Sequence, residues 1–181
     1  MNCSLRNLTG LAAECEANIG GIRRAWVGIH GNFTYAADTT TGSTAHMITG
    51  ITGTTDAKFY QYDFNRQTGS LNSELTKDEV NGITYYTNTA TFVFSRMESK
   101  KHLEIQALAK GQLDIIVEDC NGKFWLIGYD NYAGAESNSA TTGTSYTDRN
   151  GYEIAISQMS AWMPFGIEKA TFESLIQEPA I

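Results

Sequence analysis

The stretch Gln112-Leu-Asp-Ile-Ile-Val-Glu-Asp-Cys-Asn-Gly-Lys-Phe-Trp-Leu-Ile-Gly128 decides the fold class. Leu113, Ile115 and Val117 alternate with Asp114 and Glu118, which is the two-residue period of a strand with one buried face. Asn121-Gly122 readily takes the positive φ angles of a tight turn, and Phe124 to Ile127 then supplies a return strand. After a Gly/Ser/Thr-rich interval, Asn150-Gly151 suggests a second turn. Tyr152, Ile154 and Ile156 resume the period opposite Glu153, Ala155 and Ser157. Residues 112 to 157 therefore predict a hairpin and meander, with a long loop over 130 to 149.

Upstream, Ile22 to Ile29 predicts a first strand anchored in the core by Trp26. Residues 1 to 21 lack a strand period and end at Gly20-Gly21, as an arm would. Residues 31 to 57 are mostly Thr, Gly, Ala and Ser, and read as a long loop that meets a partner or as a ribbon over 33 to 57. Tyr60, Tyr62 and Phe64 share one face of a strand, Leu71 and Leu75 mark another, and Ile83 to Ser95 is a long one. One helix is expected over 98 to 110, with Leu103, Ala107 and Leu108 buried, Ile105 at the margin, and Lys110-Gly111 as its stop.

Strands, one helix, strands and a short tail predict a mainly β protein: an antiparallel β-sandwich or barrel with a flanking α-helix, an N-terminal arm and long loops. The expected division is an arm at 1–21, a β-sandwich domain at 22–158 and a C-terminal docking tail at 159–181. That tail holds Met159, Trp162, Met163 and Phe165 and a short helix over 170 to 177.

The 181 residues suit one filled domain, and a net charge of −7 argues against gripping nucleic-acid phosphates. Cys3, Cys15 and Cys120 are too few and too scattered for a disulfide framework or a zinc knuckle. The N-terminus lacks the order of a signal peptide, no run is long enough to span a bilayer, and no membrane partner is expected. No nucleophile elbow, phosphate loop, dinucleotide motif or zinc-protease motif is present. His30, His46 and His102 have no second ligand at metal spacing. Asp78-Glu79 and Glu118-Asp119 are adjacent pairs whose members point to opposite faces. The protein is therefore read as having no catalytic residues, no cofactor and no metal. Its many Tyr and Trp residues leave a carbohydrate-binding or adhesin-type sandwich as the alternative.

The order of elements resembles the tail tube proteins of bacterial viruses and related ring proteins of phage tails. The resemblance is carried by Gly20-Gly21-Ile22, the 31 to 57 segment and the helix at 98 to 110. It continues through Asn121 to Gly128 and Thr147-Asp148-Arg149-Asn150-Gly151-Tyr152. The opening with Cys3, Cys15 and Gly20-Gly21-Ile22 is similar to tail proteins of phages infecting Bacteroidota. The resemblance implies a virion tail protein assembled in the host cytoplasm. Its partners would be itself, in rings of six or twelve, and other tail proteins or the portal, around a lumen through which DNA passes without sequence-specific binding. Loops and apolar tail residues would then meet neighbours; the expected contacts are Tyr35, Met47, Ile48, Ile51, Tyr132, Tyr146, Trp162 and Phe165.

Overall fold

A computed structural model describes residues 18–39, 45–65 and 67–179. Twelve strands are seen among them: β1 (Ile22–Ile29), β2 (Phe33–Asp38), β3 (Met47–Gly53), β4 (Phe59–Asp63), β5 (Gly69–Asp78), β6 (Ile83–Ser95), β7 (Leu113–Asp119), β8 (Phe124–Ile127), β9 (Gly134–Thr141), β10 (Gly151–Ser160), β11 (Phe165–Ile167) and β12 (Ile176–Gln177). The helices are α1 (Ser99–Lys110) and the single turn α2 (Lys169–Phe172). The protein is mainly β, as expected.

The strands form two sheets. One has eight strands in the order β12-β4-β1-β7-β8-β11-β3-β2, and the other four in the order β5-β6-β10-β9. All pairings are antiparallel except β11 with β3 and β12 with β4. The eight-stranded sheet curls until Phe33 of β2, at one edge, stacks on Phe59 of β4, the strand beside the other edge, with ring centroids 4.1 Å apart.

Curling creates two cores from one sheet. Odd-numbered positions of β1 and β7 (Ala25, Val27, Leu113, Ile115, Val117) face the four-stranded sheet, meeting Ala90, Phe92, Ile154 and Ile156 and the α1 residues Ile105 and Leu108. Even-numbered positions (Trp26, Ile116) point inside the curl, with Phe33, Phe59, Leu126, Phe165 and Phe172. Trp26 is the anchor its sequence suggests: its indole Nε1 donates to Gln61 Oε1 (3.1 Å), and its ring meets Phe172 edge-on at 5.3 Å. Phe172 is fully buried. Replacing it with Ala should lower stability by about 3–4 kcal/mol through lost burial and a residual cavity. Chemical denaturation of the purified variant measures this.

Several expectations change. Residues 33 to 53 are the hairpin β2–β3, as the ribbon reading expected and the loop reading did not, with residues 40–44 outside the described set. Within 130 to 149, β9 forms eight residues of strand paired to β10, so the meander divides between two sheets. Asn150-Gly151 is not the turn; Gly151 already lies in β10, opposite Ser95, and the chain reverses over 142–150. In α1 the buried residues are Ile105 and Leu108, while Leu103 and Ala107 are exposed. The helix lies with its 105/108 stripe, not its 103/107 stripe, on the core. The tail docks mostly as strand: β11 inserts between β8 and β3, β12 joins β4, and only α2 and a 3₁₀ turn (Glu173–Leu175) are helical. Of the N-terminal arm, only residues 18–21 are described. Asn18 Oδ1 accepts from Asn121 Nδ2, and Ile19 N donates to Asn121 Oδ1.

Candidate functional site

Two features stand out from ordinary packing: a buried carboxylate inside the curl, and the open face and edges of the four-stranded sheet.

The carboxylate belongs to Asp114. Alternation along β7 suggests that it faces solvent, yet it is fully buried, because β7 is covered by a core on each side. Its Oδ1 accepts from His30 Nδ1 and its Oδ2 from Tyr35 OH, both at 2.6 Å. An ionised carboxylate only accepts, so it places the His30 proton on Nδ1. Burial raises the Asp114 pKa above the ordinary carboxylate value, and the bonds from Tyr35 and His30 partly offset this. Burial also drives the Tyr35 hydroxyl upward, reinforced by the neighbouring negative charge, so it remains a donor. The three groups come from the end of β1, from β2 and from β7, so the carboxylate ties the edge strand β2 to the middle of the sheet.

Gly128 makes room for this group. Its φ is +119°, and a Cβ there would press on the Asp114 carboxylate and lie 2.8 Å from Asp114 Cα. Gly128→Ala should cost about 3 kcal/mol from strain and clash together, read as a fall in thermal midpoint. Asp114 should also make stability pH-dependent. With a folded-state pKa above the unfolded one, its stabilising contribution is complete below the unfolded value and is lost as pH rises through the folded value. The stability of Asp114→Asn relative to wild type should therefore be flat at acid pH and improve as pH rises through that window. Thermal melts of both proteins across pH provide the check.

A hydrolytic role for this cluster would need a nucleophile on the far side of His30, and no such contact exists among the described residues. Nor is there a group of three or more His, Cys, Asp or Glu among them placed to hold a metal ion. Neither carboxylate pair forms an acid/base dyad: Asp78 and Asp119 accept backbone N–H groups of their own turns, and Glu118, buried on β7, pairs with Arg23 at 3.7 Å. A concavity of about 610 Å³ lies between β4 and α1, with Tyr60, Tyr62, Phe94 and Ile105 in its walls. Tyr62 OH donates to Glu104 across it.

The four-stranded sheet is different in kind. Its inner face carries the core residues. Its other face follows from the pairing registers: one rung reads Ser70, Thr91, Ala155, Ser137, the next Asn72, Thr89, Ser157, and a third Glu74, Thr87, Met159. Hydroxyls dominate this face, Glu74, Asp78 and Glu153 are its charges, and none of its strand positions holds Lys or Arg. Arg149, in the preceding turn, is held on Glu153 at 2.6 Å. Among the described residues, both outer strands, the ten residues of β5 and the eight of β9, pair on one edge only.

No family model, curated protein or solved structure matches the chain. The site must therefore be read from its own chemistry.

The eight residues expected at subunit contacts fall into two groups. Ile48 and Phe165 are buried inside the curl, Tyr35 is bonded to Asp114, and Met47 and Ile51 are partly covered on β3. Ile48, Phe165, Tyr35 and Ile51 pack into the chain's own interior, because their Thr- and Gly-rich surroundings form a sheet and not a free loop. Tyr132, Tyr146 and Trp162 are exposed. Sequence reasoning missed Asp114 and the long β5 and β9 edges. Among the described residues, no helix is long and apolar enough to cross a membrane.

Proposed function

We propose that this chain is a virion structural protein, a subunit of a phage tail tube or tail-barrel ring, whose four-stranded sheet is its share of a channel wall. The observation that carries the reading is that sheet: one face on the core, the other lined with hydroxyls and carboxylates, and, among the described residues, an outer strand on each side that pairs on one edge only. Exposed edges are usually shortened, bulged or blocked by charge, because their free N–H and C=O groups recruit another strand. β9, Gly-Ala-Glu-Ser-Asn-Ser-Ala-Thr, carries a single charge. Pairing β9 of one copy with β5 of the next satisfies both edges and extends the sheet into a wall. A wall with carboxylates and no cations does not hold phosphates, so DNA slides past it.

The partners under this reading are further copies of the chain in a closed ring, six or twelve, and other tail components. The place of action is the virion tail, after assembly in the host cytoplasm. Native mass spectrometry of the purified chain over a range of concentrations is the test. One discrete multiple of the subunit mass is expected. A monomer at every concentration, together with absence from purified particles, would overturn the reading.

A further inference from the structure

The concavity between β4 and α1 does not end at Tyr62. A second one shares Tyr60, Tyr62 and Glu104 with it and has Ile29 and Leu108 among its other walls. The bond from Tyr62 OH to Glu104 joins β4 to α1 where the two meet, so together they make one groove. Its halves, about 610 Å³ and about 450 Å³, each fall in the range of small-molecule sites, about 300–1,000 Å³.

Tyr60 is the aromatic residue of β4 that the fold leaves unused. Phe59 stacks on Phe33, and Tyr62 meets Phe94. Tyr60 shares the Tyr62 face of the strand, yet half of it is exposed. Among the described residues its ring meets no other aromatic ring, and its hydroxyl has no hydrogen-bond partner. An open ring in the wall of a groove offers a flat apolar surface with a polar handle at its tip.

The polar groups around Tyr60 retain bonding capacity. Glu104 accepts from Tyr62 through Oε1, while its Oε2 has no partner among the described residues. Lys100 Nζ likewise has none there. Burial, reinforced by Glu104, pushes the Tyr62 hydroxyl pKa upward, so it stays protonated and keeps donating across the groove. The carboxylates of Asp63, Glu104 and Glu178 share the wall with the ammonium groups of Lys100 and Lys101, so neither sign dominates. A strongly charged ligand meets repulsion as well as attraction in such a wall. A neutral ligand rich in hydroxyls can donate to the carboxylates and accept from the ammonium groups. Sugar rings fit this description, because they carry C–H groups on a face and hydroxyls around the rim.

We infer that the groove binds a neutral oligosaccharide. One sugar ring rests its C–H face on Tyr60, with hydroxyls donating to Glu104 and accepting from Lys100. The rest of the chain runs past the Tyr62–Glu104 bridge toward Ile29 and Leu108. The groove uses neither the β5 nor the β9 edge, so this inference and the ring reading can fail independently.

A glycan array, followed by titration calorimetry with the di- and hexasaccharides of the maltose, cellulose and chitin series and with any glycan the array selects, tests the inference. Binding of at least one neutral glycan is expected, tighter for the longer chain. Tyr60→Ala should weaken it by about tenfold, and Tyr60→Phe, which keeps the ring, by less. Lys100→Ala, at an exposed helix position, should weaken it by about threefold and serves if Tyr60→Ala fails to fold by circular dichroism. No glycan bound, binding confined to anionic glycans, equal affinity for short and long chains, or affinity unchanged by the folded variants would overturn the inference.

Discussion

Asp114→Ala should lower the thermal midpoint by roughly 10 °C, whereas Asp114→Asn should be no less stable than wild type. The alanine variant leaves the Tyr35 hydroxyl and the half-buried His30 Nδ1 without the acceptor that each holds at 2.6 Å. An unsatisfied buried polar group costs about 1–3 kcal/mol, so the pair amounts to about 3 kcal/mol. For a chain of this size each kcal/mol moves the midpoint by about 2–4 °C. Asparagine keeps a carbonyl for Tyr35 and is nearly the same shape beside Gly128. The effect should also be local: hydrogen exchange should speed in β2, whose Tyr35 is tied to Asp114, more than in β10. Equal losses for the alanine and asparagine variants would mean that the carboxylate's shape, not its hydrogen bonding, is what matters.

The second large effect concerns assembly and leaves folding intact. Along an edge strand, successive N–H groups alternate between the paired side and the open side. Of Asn138→Pro and Ser139→Pro in β9, one therefore removes a bond to β10 and the other only an N–H on the free edge. The variant affected on the free edge should fold, with circular dichroism like wild type, yet lose ring formation, because proline removes a donor and blocks strand addition. The other should be destabilised. Sedimentation velocity distinguishes them: a folded proline variant that still assembles fully would exclude β9 as a ring contact.

Much of the architecture was legible because the strands that read clearly bury one side. β6 and β10 have the predicted spans or nearly so, since Phe92, Ile154 and Ile156 alternate with less buried neighbours, and β1 has its predicted span from its run of β-branched and aromatic residues although both its faces are buried. β2, β3 and β9 were harder. They are held by backbone pairing, with Thr, Gly, Ser and Ala side chains that carry no apolar period, so a strand and a loop look alike in sequence. β7 misled in another way. A polar residue within an alternation ordinarily marks the wet face, but β7 has a core on both sides, and Asp114 lies inside because two distant residues, His30 and Tyr35, meet it there. Their separations along the chain, 84 and 79 residues, leave no local trace. Tyr132, Tyr146 and Trp162, chosen for their place in the long loop and the tail, are exposed.

The most direct measurement of the ring account is a cryo-electron microscopy reconstruction of the assembled protein at a resolution that traces strands. The account predicts a closed ring in which β9 of each copy pairs with β5 of the next, with the Thr87, Thr89 and Thr91 face toward the lumen. A ring joined through any other surface, or one whose lumen is lined by the eight-stranded sheet, would contradict it.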